Sequence, residues 1–296
     1  MEFFPHTAYL RGSCFRFVSI FAMLTFFKVL VSALFMGLAA YGFALVPLKV
    51  AIPVQKLNLV SSLGMGILVG TVLCLVIPEG VETLYEAVEG LEYDPLFCIG
   101  MSLLAGFALM FVLDNCSLRL ELSSDSNILE WRRKLVSVAT STLTVGLLLH
   151  SFVDGIALGT SFLNGDTSFE LLFFFVIIIH KLPTAMSLSV VLLQEGLLAE
   201  MCQFHALLFS LSTPLASILT YTIAICFNVK SLFAVGCLLL ISAGTFLYSV
   251  MHVMNEITHK ADYSPMEEQR PESMSRLQLL LAVLGMVVPV AFAQLG

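Results

Sequence analysis

A histidine and an aspartate stand four residues apart inside a long apolar run of this chain. They are His150 and Asp154 of "HSFVDGIALG", within the run from Leu135 to Leu163. On a helix of 3.6 residues per turn, their side chains point the same way, about one turn apart. A second histidine, His180, lies near the middle of the next apolar run. Imidazole and carboxylate ligands on facing helices, without a thiolate, suit zinc and also iron or manganese, so these three residues are predicted to bind a divalent metal.

The elements that must position these residues are predicted to be membrane-spanning helices. Hydrophobic residues make up 58% of the 296 residues and charged residues only 12%, unlike a soluble domain. Because each span in lipid must satisfy its own backbone hydrogen bonds, apolar stretches of roughly 20 residues predict an all-α membrane protein. Eight transmembrane helices are predicted, at about 29–48, 57–77, 96–116, 135–163, 169–196, 206–227, 231–255 and 277–295.

The remaining segments predict a simple domain organisation. Residues 1–28 form an N-terminal extension, either signal-like or interfacial, and residues 29–296 a single transmembrane domain. The two longest polar loops, 117–134 and 258–276, are predicted to be cytosolic. The formal net charge of -7 says little about nucleic acid, but the chain has no basic stripe or soluble domain to bind it, so no nucleic-acid partner is predicted.

Basic residues predict the orientation. If the N-terminus faces the exterior or a lumen, the loops between helices on that same side carry one basic residue, Lys230. The positive-inside rule therefore predicts both termini outside or lumenal, although Arg11 and Arg16 favour the reverse. The cytosolic loops then carry Lys49, Lys56, Arg119, Arg132, Arg133, Lys134, Lys260, Arg270 and Arg276.

Further ionisable residues lie at membrane depth. Each costs about 2.5 to 3.5 kcal/mol to insert, and a packing role does not need so many. A buried His–Asp pair that only fixes helix packing remains the alternative for the first pair taken alone. The additional groups are Glu79 late in the second span, Lys181 beside His180, and His252 with Glu256, four residues apart in the seventh span.

The motifs of the fourth and fifth spans resemble those of a known family. "HSFVDGIALGTS" followed by "HKLPTAMSL" is similar to the ZIP (Zrt/Irt-like protein) divalent metal transporters, which carry patterns of the type HNxxDG and HExPHE. "LVGTVLCLVIPEG" in the second span and "SAGTFLYSVMHVMNE" in the seventh also look like ZIP segments, so the resemblance covers all eight spans. The branch that it resembles most is the ninth animal subtype, which reads HK where most members read HE.

The resemblance implies a ZIP-like bundle in which helices 4 and 5 hold a metal between two inverted three-helix repeats. It carries the ligand roles over to His150, Asp154 and His180. Glu79 and Glu256 match acidic positions along the family's metal pathway, with His252 nearby.

This chain departs from the family pattern at the site. Ser151 replaces the usual Asn and Lys181 the usual Glu, while Thr184 and Ala185 replace a second His-Glu pair. The family's Glu can bridge two metals, so the departures favour a single bound metal. The Lys181 ammonium could stand where a second cation would sit, exchange a proton as metal comes and goes, or snorkel away from the site.

The sequence therefore predicts transport of a divalent metal, most simply zinc, into the cytosol from outside or from an organelle lumen. Metal binding should weaken at acidic pH because the ligands must be deprotonated. The acidic segment 78–95 would form an entrance or merely a solvated face. The predicted membrane is the plasma membrane or a Golgi-type endomembrane, and the sequence is compatible with a homodimer.

Two alternatives remain at this point. An intramembrane zinc-dependent hydrolase could use a similar site, but no HExxH occurs and Lys181 stands where a general base would be needed. A metal-sensing receptor that does not transport is the second alternative. Such a sensor would bind metal in the long loops, but the long loops of this chain lack His-rich tracts.

Overall fold

The protein is built from helices that run through nearly all of the described chain. A computed structural model describes residues 6–50, 54–88, 94–115, 130–163, 167–227, 232–259 and 275–293. The helices are α1 (His6–Lys49), α2 (Val54–Thr71), α3 (Ile77–Val88), α4 (Pro95–Asn115), α5 (Glu130–Thr140), α6 (Thr142–Ser161), α7 (Thr167–Gln194), α8 (Ala199–Phe227), α9 (Leu232–His259) and α10 (Arg276–Ala293). No strand occurs in these ranges. The predicted all-α class is confirmed.

Seven of the predicted spans fall on helices that are long and apolar enough to cross a membrane. The eighth falls on α10, whose apolar part, Arg276–Ala291, is shorter. In order, the eight are α1, α2 with α3, α4, α6, α7, α8, α9 and α10. Helix α1 begins at His6, so residues 6–28 continue the first span as one helix. The predicted signal-like or interfacial role of residues 1–28 stays a prediction.

The fourth span begins later than the sequence predicts. Its predicted start was Leu135, but a break at Ser141 separates α5 from α6. Ser141 has extended backbone angles (φ −87°, ψ 102°), and its hydroxyl accepts a hydrogen bond from the Thr144 amide at 3.3 Å. This N-cap satisfies one of the amides that every helix start leaves unpaired, so a new helix begins there.

The second span is interrupted by a π-helical turn just before a proline. Pro78 has no amide hydrogen, so the Cys74 carbonyl cannot receive its normal helical hydrogen bond. The chain adopts a π-helix over Val72–Val76, and the Ile77 amide donates to the Val72 carbonyl five residues back. A π turn adds a residue to the turn, and such turns often mark functional sites. Here it immediately precedes Glu79.

Each helix pairing in the first half of the chain has a counterpart in the second half. Helix α4 packs on α9 as α10 packs on α2, and α1 packs on α7 as α8 packs on α6. Helix α2 packs on α7 as α9 packs on α6, while α1 and α8 pack on each other. Exchanging the first three spans with the last three, and the fourth with the fifth, leaves these pairings unchanged. This symmetry is what the predicted inverted repeats require.

Glycines allow the helices of the α4–α9 pair to approach closely. A Cβ atom at Gly106 would collide with the Ile241 carbonyl oxygen on α9, and one at Gly244 with the Leu103 carbonyl oxygen on α4. Gly66 and Gly285 play the same part in the α2–α10 pair. Small residues are the usual means of bringing membrane helices into backbone contact.

Gly106→Ala should therefore destabilise the fold. The added methyl group would meet backbone atoms of α9, which cannot move aside as a side chain does, and overpacking of this kind costs about 1–3 kcal/mol. The matched control is Gly100→Ala on the same helix, where nothing lies within 4 Å of the new Cβ. Thermal unfolding in detergent should separate the two variants, and equal midpoints would contradict the close packing.

Candidate metal centre

Three buried side chains converge between α6 and α7. His150 and Asp154 lie one turn apart on α6, and His180 faces them from α7; all three are at most 3% exposed. The Asp154 Oδ2 atom lies 3.6 Å from His150 Nε2 and 3.4 Å from His180 Nε2. One potential ligand atom from each residue lies within 4.8 Å of the others. The fold therefore brings the three predicted residues together.

The His150 ring is fixed by two residues of α9. Its Nδ1 atom lies 2.8 Å from the Ser242 hydroxyl oxygen, and its ring stacks on Phe246 with 4.5 Å between centroids. This leaves Nε2, the atom nearest Asp154, to bind a ligand. A polar partner on the far nitrogen is the usual way in which proteins orient a metal-binding histidine.

Two buried imidazole nitrogens have no hydrogen-bond partner within the described residues: His150 Nε2 and His180 Nδ1. A buried polar atom without a partner costs about 1–3 kcal/mol. His150 Nε2 lies beside the Asp154 carboxylate, 3.6 Å from Oδ2, so a bound cation there would serve as its absent partner.

Glu79, which is predicted to line the metal pathway, interacts electrostatically with this cluster. It is half-buried at the start of α3, and its charge interacts with those of His180 and Asp154. Glu82 and Glu86 of the acidic segment 78–95 follow on the same helix, four residues apart, and are exposed. Their role as an entrance stays a prediction.

His252 does not join the cluster. Its Nδ1 atom lies 3.8 Å from Oδ2 of Asp114 on α4, and that carboxylate also accepts hydrogen bonds from Tyr248 (2.7 Å) and Thr142 (2.5 Å). Glu256 lies on α9, but its side chain is outside the described part of the structure.

Lys181 is buried, which rules out the snorkelling interpretation. It is 1% exposed, and its Nζ atom donates hydrogen bonds to the hydroxyls of Ser151 (2.5 Å) and Thr213 (2.7 Å). The ammonium also lies 4.2 Å from the ring centroid of Phe209, a cation–π contact. Its charge interacts with that of Asp154. Ser151, where the family has Asn, therefore holds the lysine that stands where the family has Glu.

Several supporting residues were not predicted from the sequence. Ser242 and Phe246 orient His150, and Thr213 and Phe209 hold Lys181, yet these neutral residues resemble ordinary apolar-helix sequence. Asp114 did carry a signal, because it is a charge inside the predicted third span. Including Asp114 among the ionisable residues at membrane depth would have offered a carboxylate partner for His252.

Comparison with known proteins places the chain in a family. The family model described as "ZIP Zinc transporter" matches residues 131–293. The chain is 32% identical to "Zinc transporter ZIP9-A" of Xenopus laevis and 31% identical to "Zinc transporter ZIP9" of Xenopus tropicalis. Both alignments cover 90% of this chain and 97% of the relative. The chain belongs to the ZIP zinc transporter family. Human "Zinc transporter ZIP1" is a more distant relative, 28% identical over 66% of this chain and 68% of its own length.

Membership of the ZIP family confirms the resemblance stated from the motifs, including its ZIP9-like branch. It also confirms a multi-pass membrane protein and removes the hydrolase alternative, because ZIP proteins are transporters and not enzymes. Two of the positions that set this chain apart from the usual ZIP motif, Ser151 and Lys181, contact each other in the structure.

Proposed function

We propose that this protein transports zinc across its membrane into the cytosol, with His150, Asp154 and His180 as the ligands at the centre of the path. The observation that carries the proposal is the buried cluster of three ligand atoms within 4.8 Å of one another. The relatives named zinc transporters support zinc as the cargo. Two imidazoles and one carboxylate also accept iron or manganese, so selectivity is part of the experiment.

A site with three protein ligands suits transport. Structural zinc sites close all four positions of the tetrahedron, whereas three ligands leave one position open for water or for the next ligand of the path. Glu79 lies near enough for its charge to interact with the cluster and would provide that next carboxylate. Passage from one set of ligands to another lets the ion leave without losing all its partners at once.

The proposed orientation rests on the placement of the basic residues along the chain. Both termini would lie outside or in a lumen, with 117–134 and 258–276 in the cytosol and residues 29–296 as one transport domain. The membrane would be the plasma membrane or a Golgi-type endomembrane, where zinc can flow down its gradient into the cytosol. A homodimer is compatible with the large exposed apolar surface of α4, which would otherwise face lipid.

Zinc uptake into proteoliposomes tests the proposal. Radiolabelled zinc should accumulate with saturable kinetics in vesicles that contain the full chain, and not in empty vesicles. Competition by iron or manganese ions measures selectivity. Zinc binding by detergent-purified protein without any uptake would favour the metal-sensing receptor, and neither binding nor uptake would overturn the proposal.

Ser242→Ala should weaken zinc binding without unfolding the protein. It removes the hydroxyl that fixes His150, and loss of such an orienting partner typically costs 10–100-fold in metal affinity. Ser249→Ala is the matched control, because that buried hydroxyl on α9 bonds to the Thr245 carbonyl of its own helix. Equilibrium dialysis with labelled zinc measures both, and equal affinities would contradict the orienting role.

Zinc binding should weaken as the pH falls below neutrality. A histidine must be neutral to donate a nitrogen lone pair to a metal, so protons compete with zinc for His150 and His180. Zinc affinity, measured by dialysis between about pH 7.5 and 5.5, should fall steadily with acidification and recover on return to neutral pH. An affinity that rises in acid would contradict imidazole ligation.

A further inference from the structure

We propose that helix α5 binds anionic phospholipid headgroups at the membrane surface, through Arg132, Arg133 and Lys134. The helix, Glu130–Thr140, precedes the span that carries His150 and Asp154 and takes no part in the metal cluster. The inference goes beyond transport and does not depend on the identity of the cargo.

The structure places α5 at one end of the bundle. The extended backbone at Ser141 separates it from the spanning helix α6, so it is not an extra turn of that helix. Val138 is buried, and the Ser137 hydroxyl lies 3.1 Å from Nε2 of His205, near the start of α8. Because α6 and α8 both begin at this end and both have the length of a span, α5 lies where a membrane surface would be.

An apolar stripe of α5 is left uncovered by protein. Trp131 is 55% exposed and Leu135 43%, and Ala139 is also exposed. These residues follow each other at intervals of four, so they form one face of the helix. Tryptophan is enriched where a membrane meets water, and an exposed apolar stripe at that level has lipid as its natural partner.

Basic residues flank this stripe. Arg132 and Arg133 are exposed and Lys134 is half-buried, whereas Glu130 is the one acidic residue of the helix. The ion pairs found among the described residues involve none of the three basic side chains. A helix with a basic face and a Trp/Leu face is the pattern of interfacial helices that bind anionic lipid. The predicted cytosolic side of α5 is also the side where anionic lipids concentrate.

The single tryptophan of the chain allows a direct test. The full protein is placed in nanodiscs of phosphatidylcholine and phosphatidylserine, with bromine on the acyl chains of one lipid or the other at equal mole fraction. Bromine quenches tryptophan at short range, so quenching reports which lipid lies beside Trp131. Brominated phosphatidylserine should quench at least about twofold more strongly, since each basic residue near the surface favours anionic lipid about fivefold.

Two variants decide the origin of the preference. Arg132→Gln with Arg133→Gln should remove most of the difference between the two lipids and leave only the part that Lys134 supports, because glutamine keeps the helix but not the charge. Arg276→Gln is the control, an exposed arginine that starts α10 and has the same predicted side. Equal quenching by both lipids in the unmodified protein would overturn the proposal. So would a loss in Arg276→Gln as large as that in the double variant.

Discussion

Asp154→Asn is expected to abolish zinc uptake and to weaken zinc binding by at least about 100-fold, equivalent to about 2.7 kcal/mol. The Asp154 Oδ2 atom lies near both histidine rings, 3.6 Å from Nε2 of His150 and 3.4 Å from Nε2 of His180. Asparagine keeps the shape of the side chain but removes its negative charge. Asp154 supplies the one carboxylate of the three-residue cluster. Uptake into proteoliposomes and dialysis with labelled zinc measure the two effects.

The charge of Asp154 has a second role that the experiment must separate from the first. It interacts with the buried ammonium of Lys181, so its removal also leaves that cation unbalanced. Asp154→Glu keeps the charge but moves the carboxylate by one methylene, and should therefore fold like the unmodified protein while transporting poorly.

Asp114→Asn is the matched carboxylate control on α4. It lies beside His252 and outside the cluster, and should keep zinc affinity within about threefold, a change of less than 1 kcal/mol. If Asp154→Asn carried zinc at the normal rate, the cluster could not be the transport site.

What could be predicted from the sequence depends on local periodicity. The eight apolar runs are set by the length of helix that a bilayer requires, and the spacing of His150 and Asp154 by the helical repeat. Both properties are visible in one segment at a time. The contact between α6 and His180 of α7 could be predicted on the single assumption that neighbouring spans pack together.

Other features depend on contacts between distant segments. Ser242 lies 92 residues after His150, and no local pattern distinguishes it from a packing serine. The fourth span was placed too early because Leu135 and Val138 are apolar, and hydropathy alone does not separate an interfacial helix from a spanning one. The break depends on the Ser141 cap, a single side chain within an apolar run.

Two of the departures from the usual ZIP motif, Ser151 and Lys181, form a single structural unit in the folded protein. The hydroxyls of Ser151 and Thr213 both accept hydrogen bonds from Lys181, and their oxygens lie 3.0 Å apart. Ser151 also donates to the Phe209 carbonyl, and Thr213 to the Ser151 carbonyl. The ammonium is therefore held in a prepared polar pocket between α6, α7 and α8, rather than left free to move with the cargo.

Lys181→Met is expected to tighten zinc binding by about tenfold or more and to lower the maximal rate of uptake. A divalent ion at the cluster is repelled by a fixed positive charge nearby, and in a medium of low dielectric this repulsion amounts to a few kcal/mol at short range. Tenfold in affinity needs only about 1.4 kcal/mol of it. A tighter site releases its ion more slowly, so the Michaelis constant and the maximal rate should fall together.

The variant should remain folded. Methionine has a similar length and suits the face of Phe209, and the hydroxyls of Ser151 and Thr213 keep the backbone carbonyls that they already bond. Lys181→Arg keeps the charge and should keep the affinity closer to that of the unmodified protein. Lys28→Met is the control for lysine removal in general, since that residue pairs with Glu170 at 3.2 Å.

The number of bound ions distinguishes the two charge-based interpretations of Lys181. If the ammonium takes the place of a second cation, the unmodified protein should bind one zinc at saturation, and Lys181→Glu should allow a second, weaker one. If it acts only as a proton carrier, the number stays at one in every variant and the pH dependence of uptake changes instead. Unchanged affinity, rate, stoichiometry and pH profile in Lys181→Met would leave the lysine as a packing residue and remove both roles.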